Sequence, residues 1–485
     1  MRRLLYLSTI AADLGDIFFF ISPLTAVPLI VTVLFSEWNM FLPMAVVPVI
    51  CFILGWTLKR LPRNERENRL STALCSVALF WFACAIVCGL PFMLGLHMSF
   101  TDAVFEGMAG WTGTAFTMMQ SLDTAPYTLL FWRSFMQWIG GIGIIAFVIA
   151  LAGSTGLFQG KLYRTESREE PLMPSIVSTG RAIWKIYGLL TFIAIGLILF
   201  TGLSLWDSVN LALTTISTGG FTIHNGGILF YHNVMLELLL IPLMIAGALP
   251  FRLYYQIAEN RRWSFFGDEQ VKLFFVLVAV GTAVLTYDLI YFGNADIVSA
   301  LEQGLFMTVS ALTTTGFQIV DLQTWESVTL LFLLMLVFVG GAAGSSSGGI
   351  KLNRVVLGVR ALIWWFRRLF VSGKVLIPFR NEGRVIPRAT AELETAKTML
   401  VIILSVIIIF VATIIVMQFH LTTYPITDVL FDITSAFSTC GITSGYVSPD
   451  MPLVSKWVFI VVMWLGRLEV IPVVVLFMAL FRGSD

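Results

Sequence analysis

Apolar stretches of about 20 residues, enough to cross a bilayer as a helix, recur along the whole chain. They fall near 4–30, 36–57, 70–96, 127–152, 183–204, 234–257, 271–292, 328–371, 396–418 and 453–481. If the over-long 328–371 counts as one unit, this predicts ten membrane-spanning units. The polar connections alternate in character. Basic residues collect at Arg2 and Arg3, from Lys59 to Arg69, from Lys161 to Lys185, from Arg252 to Lys272, from Lys351 to Lys397, and at Arg482. With helices alternating in direction, all but Arg133, Lys456 and Arg467 of the 30 basic residues share one side. Short basic loops stay in the cytoplasm, so both termini are expected there.

The opposite connections carry a repeated pattern instead of charge. Each holds a half-length apolar segment, too short to span, followed by a Thr- or Ser-rich turn and a glycine. The four read FTDAVFEGMAGWTGTAF, WDSVNLALTTISTGGFT, LEQGLFMTVSALTTTGFQ and ITDVLFDITSAFSTCGIT. Aligned on the glycine, they pair Trp111-Thr112-Gly113 with Thr218-Gly219-Gly220, Thr314-Thr315-Gly316 and Thr439-Cys440-Gly441. The chain therefore divides into an N-terminal two-helix unit (1–69) and four tandem membrane–pore–membrane repeats. Their expected limits are 70–160, 161–262, 263–394 and 395–485. The fold class is an all-α polytopic membrane protein with four re-entrant pore helices around one central pore.

A single such turn is an ordinary helix connection, but four on one face are not. Non-helical backbone at membrane depth is tolerated only where it is buried or lines a water-filled path. Four loops around one axis offer main-chain carbonyls in place of a cation's water shell. Glycine allows the backbone angles that turn those carbonyls inward, and the negative ends of the short helices favour a cation there.

With STGGF, TTTGF and STCGI at its loops, the chain resembles the Trk/Ktr/HKT superfamily of potassium transporters, and within it the TrkH proteins. The resemblance covers essentially the whole chain. It implies potassium uptake, a homodimer with one pore per protomer, and a cytosolic TrkA-like nucleotide-binding ring as partner. It also implies a bacterial inner-membrane location and potassium, rather than a bound cofactor, at the filter loops. It further implies potassium selectivity where every loop has glycine and sodium permeability where the first has serine. Gly113 holds that first position in the alignment above. The first loop departs from the others in carrying Trp111 where they carry threonine.

Composition narrows the alternatives. The chain is 58% hydrophobic and 12% charged, about half the charge a soluble surface requires. A net charge of +1 gives no reason to expect nucleic-acid binding. The cysteines (Cys51, Cys75, Cys84, Cys88, Cys440) and histidines (His97, His224, His232, His420) show no metal-ligand or disulfide spacing. No nucleophile–base constellation suggests an enzyme. Asp13 and Asp16 interrupt the first apolar stretch, so it reads as a retained helix rather than a cleaved signal. The remaining functional alternative is a secondary transporter coupling potassium to protons or sodium. Such proteins commonly show inverted repeats, whereas these repeats run parallel.

The stretch 328–371 is interrupted by GGAAGSSSGG, whose composition is poor for a helix. A phosphate loop would need Gly-Lys-Ser/Thr, and Gly349 is followed by Ile350-Lys351. The choice lies between a flexible linker outside the membrane and an unwound segment in the third repeat's second helix, the latter preferred. The resemblance makes Gly340, Gly341, Gly344, Ser345, Ser346, Ser347, Gly348 and Gly349 an intramembrane gating loop. Arg467, inside the last apolar stretch, is expected either in a structural salt bridge to another helix or, as the resemblance implies, facing the pore and bonding that loop's carbonyls. Arg133 and Lys456 are expected to snorkel from outer helix ends. Glu106, Asp207, Glu302, Asp428 and Asp432 begin or line the short helices. They either hydrogen-bond loop amides, draw cations to the mouth, or simply start helices. The basic run 374–397 is expected to be amphipathic, binding lipid head groups or the cytosolic partner.

Overall fold

The computed structural model describes residues 2–62, 70–143, 176–258, 265–293, 295–370, 377–381, 384–419 and 424–482. An N-terminal group, α1 (Arg2–Thr25), α2 (Pro28–Leu34) and α3 (Trp38–Leu58), precedes four units. The first has an outer helix α4 (Leu70–Leu96), a short helix α5 (Phe100–Thr112), a loop and an inner helix α6 (Tyr127–Ile142). The second repeats this with α7 (Ile176–Leu199), α8 (Leu205–Ile216) and α9 (Val234–Ala248), continued by α10 (Phe251–Ala258). The third has α11 (Glu269–Tyr291), α12 (Ile297–Leu312) and α13 (Ser327–Val339), then α14 (Leu352–Leu369). A hairpin of β1 (Phe379–Asn381) and β2 (Arg384–Ile386) follows, paired antiparallel. The fourth unit is α15 (Arg388–Phe419), α16 (Ile426–Phe437), α17 (Leu453–Arg467) and α18 (Ile471–Arg482).

Length and apolar composition let six of the described helical segments cross a membrane, or eight when each bent pair counts once. The other two expected units fall at α6, where the rest of the expected stretch, 144–152, lies outside the described residues, and at α13, which ends after 13 residues. The expected divisions near 69, 160 and 262 also fall outside the described residues, and the one at 394/395 falls within α15. Arg63, Arg66, Arg69, Lys161, Arg164, Arg168, Arg261, Arg262, Lys374 and His420 also lie outside the described residues. The described part of the run 374–397 is not one amphipathic helix, because it turns through the hairpin before α15 begins at Arg388.

Three of the four short helices start at a capping side chain, and the fourth follows Pro425. Ser99 and Ser204 accept hydrogen bonds from Asp102 N and Asp207 N, and Asp296 accepts from Val298 N, satisfying amides that a helix start leaves free. The inner helices are short as well. At 16, 15, 13 and 15 residues, each rises at most about 24 Å, less than the hydrocarbon thickness. The sequence suggested a break in the third unit alone, but the structure breaks the second and fourth too. Between α9 and α10 the chain bends by 91° and between α17 and α18 by 108°. Pro250 has no amide to continue the first, and Glu469 and Val470 sit at φ 54° and 70° in the second.

Three inner helices meet their own short helix at a glycine. A Cβ on Gly140, Gly247 or Gly466 would lie 2.1, 2.6 or 1.8 Å from the carbonyl oxygen of Trp111, Ile216 or Phe437. No side chain fits there, and the contact puts the three repeats in one register.

Arg133 does not snorkel. Its side chain is 1% exposed and its Nε lies 2.6 Å from Glu106, itself fully buried. Its Nη1 donates to Thr222 O, and its guanidinium covers the Phe221 ring at 3.9 Å. Lys456 is also buried, donating to Asp102 (2.5 Å) and Pro449 O. Removing one member of a buried pair leaves an uncompensated charge, so Arg133→Ala should destabilise the protein by about 3–5 kcal/mol. Coupling it to Glu106→Gln should recover part of the loss. Thermal unfolding in detergent checks this, and an unshifted midpoint in Arg133→Ala would exclude a structural role for the pair.

Candidate functional site

All four short helices end in the same backbone turn. Thr218, Thr314 and Thr439 hold φ of 50°, 54° and 51°, a left-handed conformation that β-branched residues rarely adopt. In the first unit the left-handed residue is Gly113, at φ 74°. One residue later, the amides of Thr114, Gly219, Thr315 and Cys440 each reach back five residues, to the carbonyls of Ala109, Thr214, Ser310 and Ser435. The hydroxyl pair Thr112–Thr114 repeats as Thr313–Thr315, both at 2.8 Å.

This geometry corrects the register read from the sequence. Gly113 is equivalent to Thr218, Thr314 and Thr439, and the residue equivalent to Gly220, Gly316 and Gly441 is Ala115. Trp111 and Thr112 are still helical, in α5. The alignment slipped by two because glycine occupies the left-handed position in the first loop and threonine does in the others. Gly220, Gly316 and Gly441 have φ of 73°, 90° and 89°, where glycine is favoured.

The four loops converge. A Cβ on Gly220, Gly316 or Gly441 would lie 3.0, 2.8 or 2.7 Å from the Ala115 methyl carbon. Ala115 N donates to Cys440 O at 3.2 Å. Above them opens a cavity of about 390 Å³ lined by Ala115, Thr117, Gly220, Gly316, Gln318 and Asp321, among others.

Of the acids the sequence singled out, two brace the outgoing limbs of their own loops. Glu106 accepts from Thr117 Oγ1 (3.0 Å) and Met118 N (2.9 Å). Asp432, seven residues before its left-handed residue as Glu106 is, accepts from Thr443 Oγ1 (2.7 Å), Ser444 N (2.7 Å) and Val447 N (3.1 Å). Leu211 and Met307 occupy the same position in the other units. Their loops are held by neighbours: Thr222 O by Arg133, and Gln318 by reciprocal bonds to Thr443 O and N. Asp207 bonds its cap residue Ser204 and Tyr231 and faces His224. Asp428 is bonded by Thr427, while Glu302 Oε1 is buried without a hydrogen-bond partner.

Nothing in the sequence pattern pointed to Gln137. This fully buried side chain on α6 donates from Nε2 to Gly219 O at 2.7 Å and accepts at Oε1 from Phe221 N at 3.0 Å.

The chain from Gly340 to Lys351 is not helical. Its neck closes by Ile350 N to Phe338 O, Lys351 N to Val339 O and Leu352 N to Gly341 O, at 2.9–3.0 Å. Gly340, Gly344 and Gly349 have φ of 70°, 73° and 76°. The tip docks beneath the four loops. Ser346 Oγ donates to Gly247 O (2.9 Å) and lies 3.2 Å from Thr218 Oγ1. Gly348 N donates to Thr314 Oγ1 (2.7 Å) and Gly349 N to Ser438 O (3.1 Å). Ser345 and Ser347 pair through their hydroxyls, and a Cβ on Gly341 would meet Ser347 Oγ at 2.3 Å. Arg467 joins this tip to the first unit. Its Nη2 donates to Gly140 O (2.5 Å) and Gly141 O (3.2 Å), and its Nη1 approaches Ser346 O (3.4 Å). Glu469 pairs with Arg354 on α14.

Comparison with known proteins gives a consistent result. Residues 44–483 match the family model described as TrkH, cation transport protein. An uncharacterized cation transporter of Methanocaldococcus jannaschii is 31% identical over 475 residues, covering 96% of this chain and 94% of that one. The Trk system potassium uptake protein TrkH of Halomonas elongata is 28% identical, covering 94% and 95%. The crystal structure of the potassium transporter TrkH from Vibrio parahaemolyticus shares the fold at a TM-score of 0.83 and 24% identity, covering 97% of this chain and 98% of that one. Four half-helices, one repeated left-handed turn and a match along nearly the whole chain agree: this protein belongs to the TrkH family of cation transport proteins.

Proposed function

We propose that this chain carries potassium into the cell through a pore whose selectivity lies in the four converging loops. The observation that carries the reading is the recurrence of one left-handed turn at the end of every short helix, meeting at Ala115 beneath an outer cavity. Carbonyls displayed by such turns replace a cation's hydration shell. The helix ends supply negative potential at the same point. The names of relatives in Trk potassium uptake systems support potassium as the ion. In this reading the Gly340–Gly349 loop is the gate and Arg467 its electrostatic lock. The chain acts as a homodimer in the bacterial inner membrane, with both termini cytoplasmic and a TrkA-like nucleotide-binding ring as regulator. Uptake of potassium, rubidium and sodium by liposomes holding the purified protein tests the function. Uptake that requires a proton or sodium gradient would instead identify a coupled transporter.

Three outcomes follow at named positions. Gly441→Ala places a methyl 2.0 Å from Ala115 N and should abolish selective potassium uptake. Gly113→Thr gives the first loop the residue the others carry, in a space whose nearest atom would be 3.7 Å from the new Cβ, and should be tolerated. Equal loss in both would refute the register.

Deleting Ala343 to Ser347 removes the docked tip and should raise potassium flux in the absence of any partner. A folded deletion protein with unchanged or lower flux would make the loop a spacer.

A fixed positive charge about 5 Å from a passing potassium ion costs on the order of 3 kcal/mol at an effective dielectric near 20. That corresponds to roughly a hundredfold barrier. Arg467→Ala should therefore increase flux while keeping selectivity, and reduced flux in a folded variant would rule out the lock.

A further inference from the structure

The inner helices of the first, second and fourth units share a register fixed by Gly140, Gly247 and Gly466, each against the third-last residue of its turn's approach, Trp111, Ile216 or Phe437. Three residues earlier on each helix stand Gln137, Met244 and Met463, all fully buried. Two of these equivalent positions are apolar. The one polar residue is not idle, because it spans the loop next door. Its amide donates to Gly219 O (2.7 Å), accepts from Phe221 N (3.0 Å) and lies 3.5 Å from Thr114 O. Gly220 is thus held between two bonds to one side chain. The same contact explains why Gly219 lacks a side chain where the other loops have Thr114, Thr315 and Cys440: a Cβ there would meet Gln137 Oε1 at 2.4 Å.

We infer that Gln137 is a positioning residue for ion discrimination, a strut that fixes how far the second loop stands from the first. The inference rests on the proposed potassium pore. Discrimination against the smaller sodium ion requires a ring that does not close around it, whether by fixed width or by the number of carbonyls presented. Gln137 controls both for the second loop. It holds the main chain on either side of Gly220, and it keeps the Gly219 carbonyl directed at its own amide. Loss of the amide frees that carbonyl to turn and lets the loop close on a smaller ion.

The test uses the full-length protein in liposomes and reads the potassium-to-sodium permeability ratio from reversal potentials. Gln137→Met installs the residue found at the two equivalent positions. Gln137→Glu keeps an acceptor for Phe221 N but removes the donor to Gly219 O. Gln137→Glu should lower the ratio by about fivefold, the effect of one net hydrogen bond, and Gln137→Met by at least as much, while potassium flux changes less than the ratio does. A role confined to stability would lower the amount of folded protein or scale all fluxes together, leaving the ratio alone. Wild-type ratios in the folded variants would overturn the inference, and if the methionine variant does not fold, the glutamate variant decides. Failure of the underlying reading is separately visible, because wild-type protein would then show no preference for potassium.

Discussion

Backbone polar groups have no water to bond inside a bilayer, and the irregular stretches that meet at the centre of the described fold answer to that constraint. The protein interrupts its chain at the end of every short helix, and again in the inner helices of the second, third and fourth units. Each interruption frees carbonyls and amides in a place where leaving them unpaired would cost several kcal/mol apiece. The interruptions are gathered together so that they serve one another. Gly349 N meets the C-cap carbonyl of α16, Ser346 N meets Gly247 O at the end of α9, and Arg467 takes the last carbonyls of α6. The docked loop and the four turns are one hydrogen-bonded body.

Within that body the support is unequal. The first and fourth loops carry their own buried acid, Glu106 or Asp432, gripping the same hydroxyl and amide positions. The second and third have Leu211 and Met307 there and are held by Arg133, Gln137 and Thr443 from adjacent units. Backbone path is repeated four times, but the chemistry that fixes it is not.

Much of this was legible in sequence. Half-length apolar segments ending in Ser, Thr and Gly marked the four repeats, and the glycine-rich run marked the break after α13. The first loop's register was not, because glycine and threonine both fill the left-handed site and only backbone angles distinguish that site from the ring position. The bends after α9 and α17 were hidden in apolar text, with Pro250, Gly466 and Pro472 as local signals. Arg133 looked like an end-of-helix cation because its partner, Glu106, lies 27 residues away. Gln137 was a single amide among aromatic and aliphatic residues, and nothing local announces a bond made 82 residues along the chain.

Ala115 stands where three other loops have glycine, and its significance lies in how such a ring can evolve. A pore assembled from four identical chains must accept every substitution four times over. In the proposed pore each quarter is written separately in one gene product, so a methyl can be added to one wall while three remain bare. On that proposal ion preference can drift in small steps, each tested by selection against a ring that still works.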